Sequence, residues 1–156
     1  MLAATFAAVF IALFVGHSVG DHWIQTSVQS ADKGRPGRVG ILADTRHVLG
    51  LTITKGVALL AVVALLDLRI SVLGVTAGLL LDAATHWWAD RRSTLAWLAK
   101  VTGKAEFHSL GTGSHPAHPV TADGDPAGHL GTGAYALDQS FHHVWLLVAA
   151  LIIATV

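Results

Sequence analysis

Four stretches of this chain stay apolar for about 20 residues at a time, near 2–25, 47–66, 70–90 and 135–156. A bilayer hydrocarbon core of roughly 30 Å takes about that many helical residues to cross. Backbone groups in lipid must be satisfied within the segment, so runs of this length read as helices. Of the 156 residues, 53% are hydrophobic and 13% charged, whereas soluble domains carry about 25% charged residues. The expectation is an all-α, integral membrane protein: a four-helix antiparallel transmembrane bundle forming a single membrane domain over 1–156. The turn Asp67-Leu68-Arg69 is short enough to force an antiparallel pair. No basic residue precedes the first run, and no clear cleavage signal follows it. It is therefore expected to be a retained helix rather than a signal peptide.

Composition also removes several functions. There is no Cys, which excludes disulfides and thiolate ligands. Net charge is zero with His neutral, so nothing draws the chain to nucleic acid. Ten His are present; metal binding, proton handling and acid–base work are their usual uses.

The polar residues inside the apolar runs are spaced by fours. Asp82, His86 and Asp90 mark one helix; His17, Asp21 and Gln25 mark the first; Asp138, Gln139 and His142 open the last. A four-residue step keeps side chains on one helical face. Ionisable groups in such helices face a bundle interior or a cavity. Basic residues give the orientation. Lys33, Arg35, Arg38 and Arg46 fall in the loop at 27–46, and Arg91, Arg92, Lys100 and Lys104 in the loop at 91–134, against Arg69 alone on the other side. By the positive-inside rule both loops are cytoplasmic and both termini outside.

That orientation sorts the stripes by depth. Each His lies about 6 Å deeper than its Asp partner, at 1.5 Å per residue. Asp21, Asp90 and Asp138 form an outer layer, with His47 beside it; His17, His86 and His142 form an inner one. Lys55 and Asp82 each lie eight residues beyond the outer layer on neighbouring helices, and are expected to pair beneath the His layer. A bland alternative is that all these groups only bond across helices and hold the bundle together. His22 and His143 sit one step off the stripes and read as surface residues. Trp23, Trp87, Trp88 and Trp97 read as interfacial anchors.

The long loop is rich in Gly, Pro and His. It opens with an amphipathic stretch at 93–101, and its motif LGTG at 110–113 recurs at 130–133. A Gly-rich pair before a helix can cradle an anion, but no strand precedes it, and a plain loop is the simpler reading. His108, His115, His118 and His129 in this loop read as solvated.

The ordered set His17-x-x-x-Asp21-x-x-x-Gln25, a lone His47, His86-x-x-x-Asp90 and Asp138-Gln139-x-x-His142 resembles the DUF3307 family of small bacterial membrane proteins, over nearly the whole chain. The long loop is more extended than that family's pattern. More distantly, the chain is similar to small membrane proteins labelled metal-dependent hydrolases. The resemblance implies a multi-pass protein of the bacterial inner membrane, and it raises the prior on hydrolysis slightly.

Three functions remain in play. The first is a hydrolase dependent on Zn or a similar divalent metal, acting on a lipid-linked or membrane-proximal substrate at the cytoplasmic interface. His17, Asp21, His86, Asp90 and His142 are its metal-ligand candidates, Asp138 and His47 its catalytic candidates, and Gln25, Gln139, Lys55 and Asp82 further polar members of the site. The second is a proton or metal-ion carrier. The almost purely apolar stretches 2–15 and 146–153 speak against that, because a carrier needs polar groups across both halves. The third is a structural or regulatory membrane module. The bilayer is the one partner the sequence names.

Overall fold

The computed structural model describes residues 2–112 and 132–156. All regular structure among them is helical. Helix α1 spans Leu2–Val19 and continues into a π turn at Gly20–Ile24; α2 is Ser27–Asp32, α3 Gly37–Leu65, α4 Val72–Asp90, α5 Ser93–Val101, α6 Ala105–His108 and α7 Gly133–Thr155. Three helices are long and apolar enough to cross a membrane: Leu2–Ile24, Gly37–Leu65 and Gly133–Thr155. Helix α4 falls outside that set. Its 19 residues include Asp82, Thr85, His86 and Asp90, and this polar stripe dilutes its hydropathy.

The largest departure from the sequence reading is at 27–46. Expected as a loop, it holds α2 and the first ten residues of α3. A reciprocal capping box starts α2: Thr26 Oγ1 accepts from the Gln29 N–H, and the Gln29 side chain accepts from the Thr26 N–H. Only the turn before Gly37, whose φ is +74°, is irregular. With 29 residues, α3 is about 43 Å long and exceeds a bilayer core. The expected loop at 91–134 also carries structure, in α5 and α6. Of the two LGTG copies, the described parts touch: the Gly133 N–H donates to the Leu110 carbonyl at 2.9 Å. Thr132 then caps α7 by accepting from the Tyr135 N–H. His115, His118 and His129 lie outside the described residues.

Helix α1 packs on α3 and α7, and α4 packs on α7 and α3. Close approach depends on small residues. A Cβ at Gly16 would meet Lys55 Cα at 2.8 Å, and one at Gly78 would meet the Ala149 carbonyl oxygen at 2.9 Å. These contacts run Gly16 to Lys55 and Gly20 to Leu51, so α1 and α3 are antiparallel. At one end the helices enclose a dry core of Val9, Ala12, Leu13, Leu59, Leu146, Ala149, Ala150 and Ile153. At the other end the enclosed side chains are His17, Asp44, His47, His86, Asp90 and His142. Lys55 and Asp82 form a buried ion pair between the two zones, as the depth arithmetic expects.

Candidate metal centre

The four-residue spacing works as geometry. His86 and Asp90 descend one face of α4, and His86 Nε2 lies 3.2 Å from Asp90 Oδ2. His17 Nε2 stands 3.5 Å from Asp21 Oδ2 across the junction of α1 and the π turn. His142 Nε2 stands 3.4 Å from Asp138 Oδ1 on α7. The inner rings meet: His86 stacks on His142 with centroids 3.8 Å apart, and His17 lies 5.4 Å from His86 and 5.2 Å from His142. His47, from α3, enters at the outer level and touches both Asp21 and Asp90.

Four atoms converge there. His47 Nε2 is 3.2 Å from His86 Nε2, 3.1 Å from Asp21 Oδ1 and 3.2 Å from Asp90 Oδ2. His86 Nε2 is 3.2 Å from Asp90 Oδ2 and 3.6 Å from Asp21 Oδ1. Donor atoms at about 2.0–2.1 Å from one tetrahedral ion stand about 3.3 Å from each other. The edges of the Asp21, His47 and His86 triangle, at 3.1, 3.2 and 3.6 Å, bracket that value. Hydrogen bonds alone serve the cluster poorly. Each Nε2 carries at most one proton, and Asp21 Oδ1 and Asp90 Oδ2 are both buried without a hydrogen-bond partner. Buried polar atoms are rarely left so, and a cation held by Asp21, His47 and His86 would meet the Asp21 oxygen.

Each carboxylate uses its other oxygen outward. Asp21 Oδ2 accepts from Gln139 Nε2 at 3.2 Å. Asp90 Oδ1 takes the Lys33 ammonium at 2.8 Å. Gln139 also donates to Asp138 Oδ2 at 3.3 Å, which turns its carbonyl oxygen toward His17. His17 Nε2–H must then be the donor to that oxygen, at 3.3 Å. His17 is thereby committed to Gln139 and belongs to neither of two compact groups able to hold a metal. One is Asp21, His47 and His86; the other is His86, Asp90 and His142. They share His86, whose Nε2 lone pair serves one ion at a time.

Among the sequence-derived candidates, Asp21, His86, Asp90 and His142 thus fall in donor groups, and His47 joins them as a donor. Asp138 lies beside His142, and Gln139 links His17, Asp21 and Asp138. Gln25 lines the cavity that adjoins the cluster. Lys55 and Asp82 lie below.

Three residues were missed. Lys33 reaches Asp90 because Arg91 donates to the Lys33 and Arg35 carbonyls and Arg92 to that of Ser30, each at 2.6 Å, clamping α2 over the end of α4. Asp44 is fully buried, 3.9 Å from Arg91. The Thr26-x-x-Gln29 box was the available signal for the helix that carries Lys33 toward the site. His22 is exposed, as read, and also lines the cavity: its Nδ1–H donates to the Ser18 carbonyl at 2.8 Å, and its Nε2 accepts from the Tyr135 hydroxyl at 2.8 Å. The π turn holds an extra residue, which rotates His22 off the helical register.

The cavity is about 630 Å³ and opens directly over the cluster. Asp21, Asp90, Asp138 and Gln139 are at its base; Lys33, Arg92, His22 and Tyr135 are around it; Leu95 and Ala96 of α5 supply an apolar wall. No protein-family description, no curated protein and no solved structure matches this chain. The resemblance to DUF3307 therefore rests on the quoted residues alone.

Proposed function

We propose that this protein is a membrane-embedded, metal-dependent hydrolase whose site faces one side of the bilayer. The observation that carries the reading is the buried convergence of imidazole and carboxylate atoms, in which Asp21, His47 and His86 lie close enough together to hold one ion and His86, Asp90 and His142 form a second such group. Imidazole and carboxylate donors suit Zn²⁺ or a similar divalent ion. When bound, such an ion polarises a carbonyl or phosphoryl oxygen and acidifies water. The chain's own groups do the rest. Gln139 and Lys33 orient the carboxylates, as outer partners of metal ligands do. Asp138, at the cavity base and 3.4 Å from His142, is placed to accept a proton and share it with that ring. His47 moves from the catalytic role expected of it to that of a ligand.

A closed end supports an enzyme over a carrier. Beneath the His layer stand one ion pair and then a dry apolar core, with no polar path onward among the described residues. In this reading α4 crosses the membrane beside the three more apolar helices. Val72, Leu73 and Leu80 turn outward as a lipid-facing surface, and the whole is a four-helix antiparallel bundle in a bacterial inner membrane. Both termini lie outside, and the site is on the cytoplasmic side.

The test is elemental analysis of protein purified in detergent. Wild type should hold about one divalent ion per chain, and His47→Ala and His86→Ala close to none. Wild type free of stoichiometric metal after purification with metal present throughout would end the reading. Orientation is checked separately on the Cys-free chain. Cysteine at Ala105, an exposed position in the long connection, should resist impermeant thiol reagents applied to intact cells.

A further inference from the structure

A second cavity adjoins the first. It is about 390 Å³ and lies between α5 and α7, walled by Leu95, Leu98, Leu137, Phe141, Val144 and Trp145, with Thr102 and Lys104 among its few polar members. Leu95 lines both cavities. Along α7 the polar cavity takes residues from Ala134 to Gln139 and the apolar groove takes residues from Leu137 to Trp145. From Asp138 to Trp145 the helix advances about 10 Å, toward the apolar end of the molecule. A polar chamber thus continues into an apolar groove that runs in the direction a lipid chain runs.

Charge specifies what the chamber takes. Asp21, Asp90 and Asp138 outnumber Lys33 and Arg92 around it. With the imidazoles neutral, a divalent ion held by Asp21, His47 and His86 reverses that balance and leaves the chamber net positive. An anion then fits beside the metal, within reach of Lys33 and Arg92. Guanidinium and ammonium groups beside a metal ion are a common setting for phosphate.

Resting on the metal site of the preceding section, we propose that the substrate is a phosphate-bearing membrane lipid. Its phosphate group occupies the chamber over Asp21 and Asp90, and one acyl chain lies in the groove between α5 and α7. The α5 helix, amphipathic and joined to α4 by one tight corner at Arg92, forms the wall common to head and chain.

The full-length protein in nanodiscs of zwitterionic lipid tests this. Binding of fluorescent phosphatidic acid is compared with diacylglycerol of the same chains, with inorganic phosphate, and with glycerol phosphate as competitor. Metal content is measured on the same samples. Phosphatidic acid should bind at least about tenfold more tightly than either the uncharged lipid or the chainless phosphates. Val144→Trp, which fills the groove from an exposed position, should weaken that binding by about tenfold and leave metal content unchanged. Metal-loaded protein that binds phosphatidic acid no better than diacylglycerol overturns the phosphate assignment. Phosphatidic acid binding no tighter than glycerol phosphate, or unchanged in Val144→Trp, overturns the groove. In each case the metal site stands. Tight, groove-dependent binding to protein without metal has the opposite meaning: the lipid site is upheld and the metal-dependent reading fails.

Discussion

The same four long helices make two unlike interiors. Toward the ends of α1 and α4, and in the first half of α3, imidazoles and carboxylates are buried beside Val48, Leu51 and Ala89. Toward the start of α1 and the end of α7 they are Val9, Leu13, Leu146 and Ile153, with Ala between them. Both zones are packed, but on different terms. The apolar zone needs only shape, and its small residues let helices approach closely. The polar zone must place every donor opposite an acceptor, and it does not: Asp21 Oδ1, Asp90 Oδ2 and both oxygens of Asp44 lack a hydrogen bond of good geometry. The contrast divides one molecule into an apolar end packed by shape and a polar end that holds its His/Asp cluster.

The border between the zones gives the largest expected effect. Lys55→Met leaves Asp82 buried without its partner, and should destabilise the protein by about 3–5 kcal/mol. Lys55→Met with Asp82→Leu should recover much of that loss, as read by reversible unfolding in mixed micelles. Strict additivity of the two single changes would mean the residues do not interact. Next, Leu146→Ala in the apolar zone should cost about 2–5 kcal/mol while metal content stays at the wild-type level. If metal is lost along with stability, the two zones are not separable and the contrast breaks.

Within the polar zone, Gln139→Ala removes the amide that bonds Asp21 and Asp138 and accepts from His17. Metal affinity should fall about 10–100-fold, measured by competition with a chelating dye, with little change in unfolding. The smallest effect is expected at His22→Phe. It loses the bonds to Ser18 and Tyr135 at the cavity wall, worth about 0.5–1.5 kcal/mol each at most, and should leave metal affinity as it was. A metal defect in that variant would move His22 into the site proper.

Much of this arrangement was legible before any coordinates. Fourfold spacing placed His86 one turn deeper than Asp90 and His142 one turn deeper than Asp138, because a helix repeats that nearly. Depth arithmetic put Lys55 opposite Asp82. What was hidden has physical causes. The segment at 27–46 carries enough charge to look like loop, yet a capping box starts α2 within it and α3 begins at Gly37. The π turn at Gly20–Ile24 leaves no periodic trace, so the contact of exposed His22 with Tyr135 at the cavity wall was not foreseen. Periodicity also cannot tell which of four neighbouring imidazoles donates a proton. That follows only once Gln139 is seen bridging two carboxylates and His17.

The ion pair of Lys55 and Asp82 has a consequence for how the chain enters a membrane at all. A lysine near the centre of a helix costs about 2.5–3.5 kcal/mol at insertion when alone. Its acidic partner is 27 residues further along, beyond the short turn that joins α3 to α4. Helix α3 is apolar enough to enter first and carry that cost, whereas α4, with its diluted hydropathy, is not. If the two leave the translocation machinery as a hairpin, the lysine meets its counter-charge as α4 enters, and the weaker helix is drawn in by the stronger. An insertion reporter on α4 should then show efficient integration behind native α3 and poor integration behind α3 carrying Lys55→Met. The polar stripe that builds the site would thus be tolerable in lipid only because a neighbour synthesised moments earlier is waiting for it.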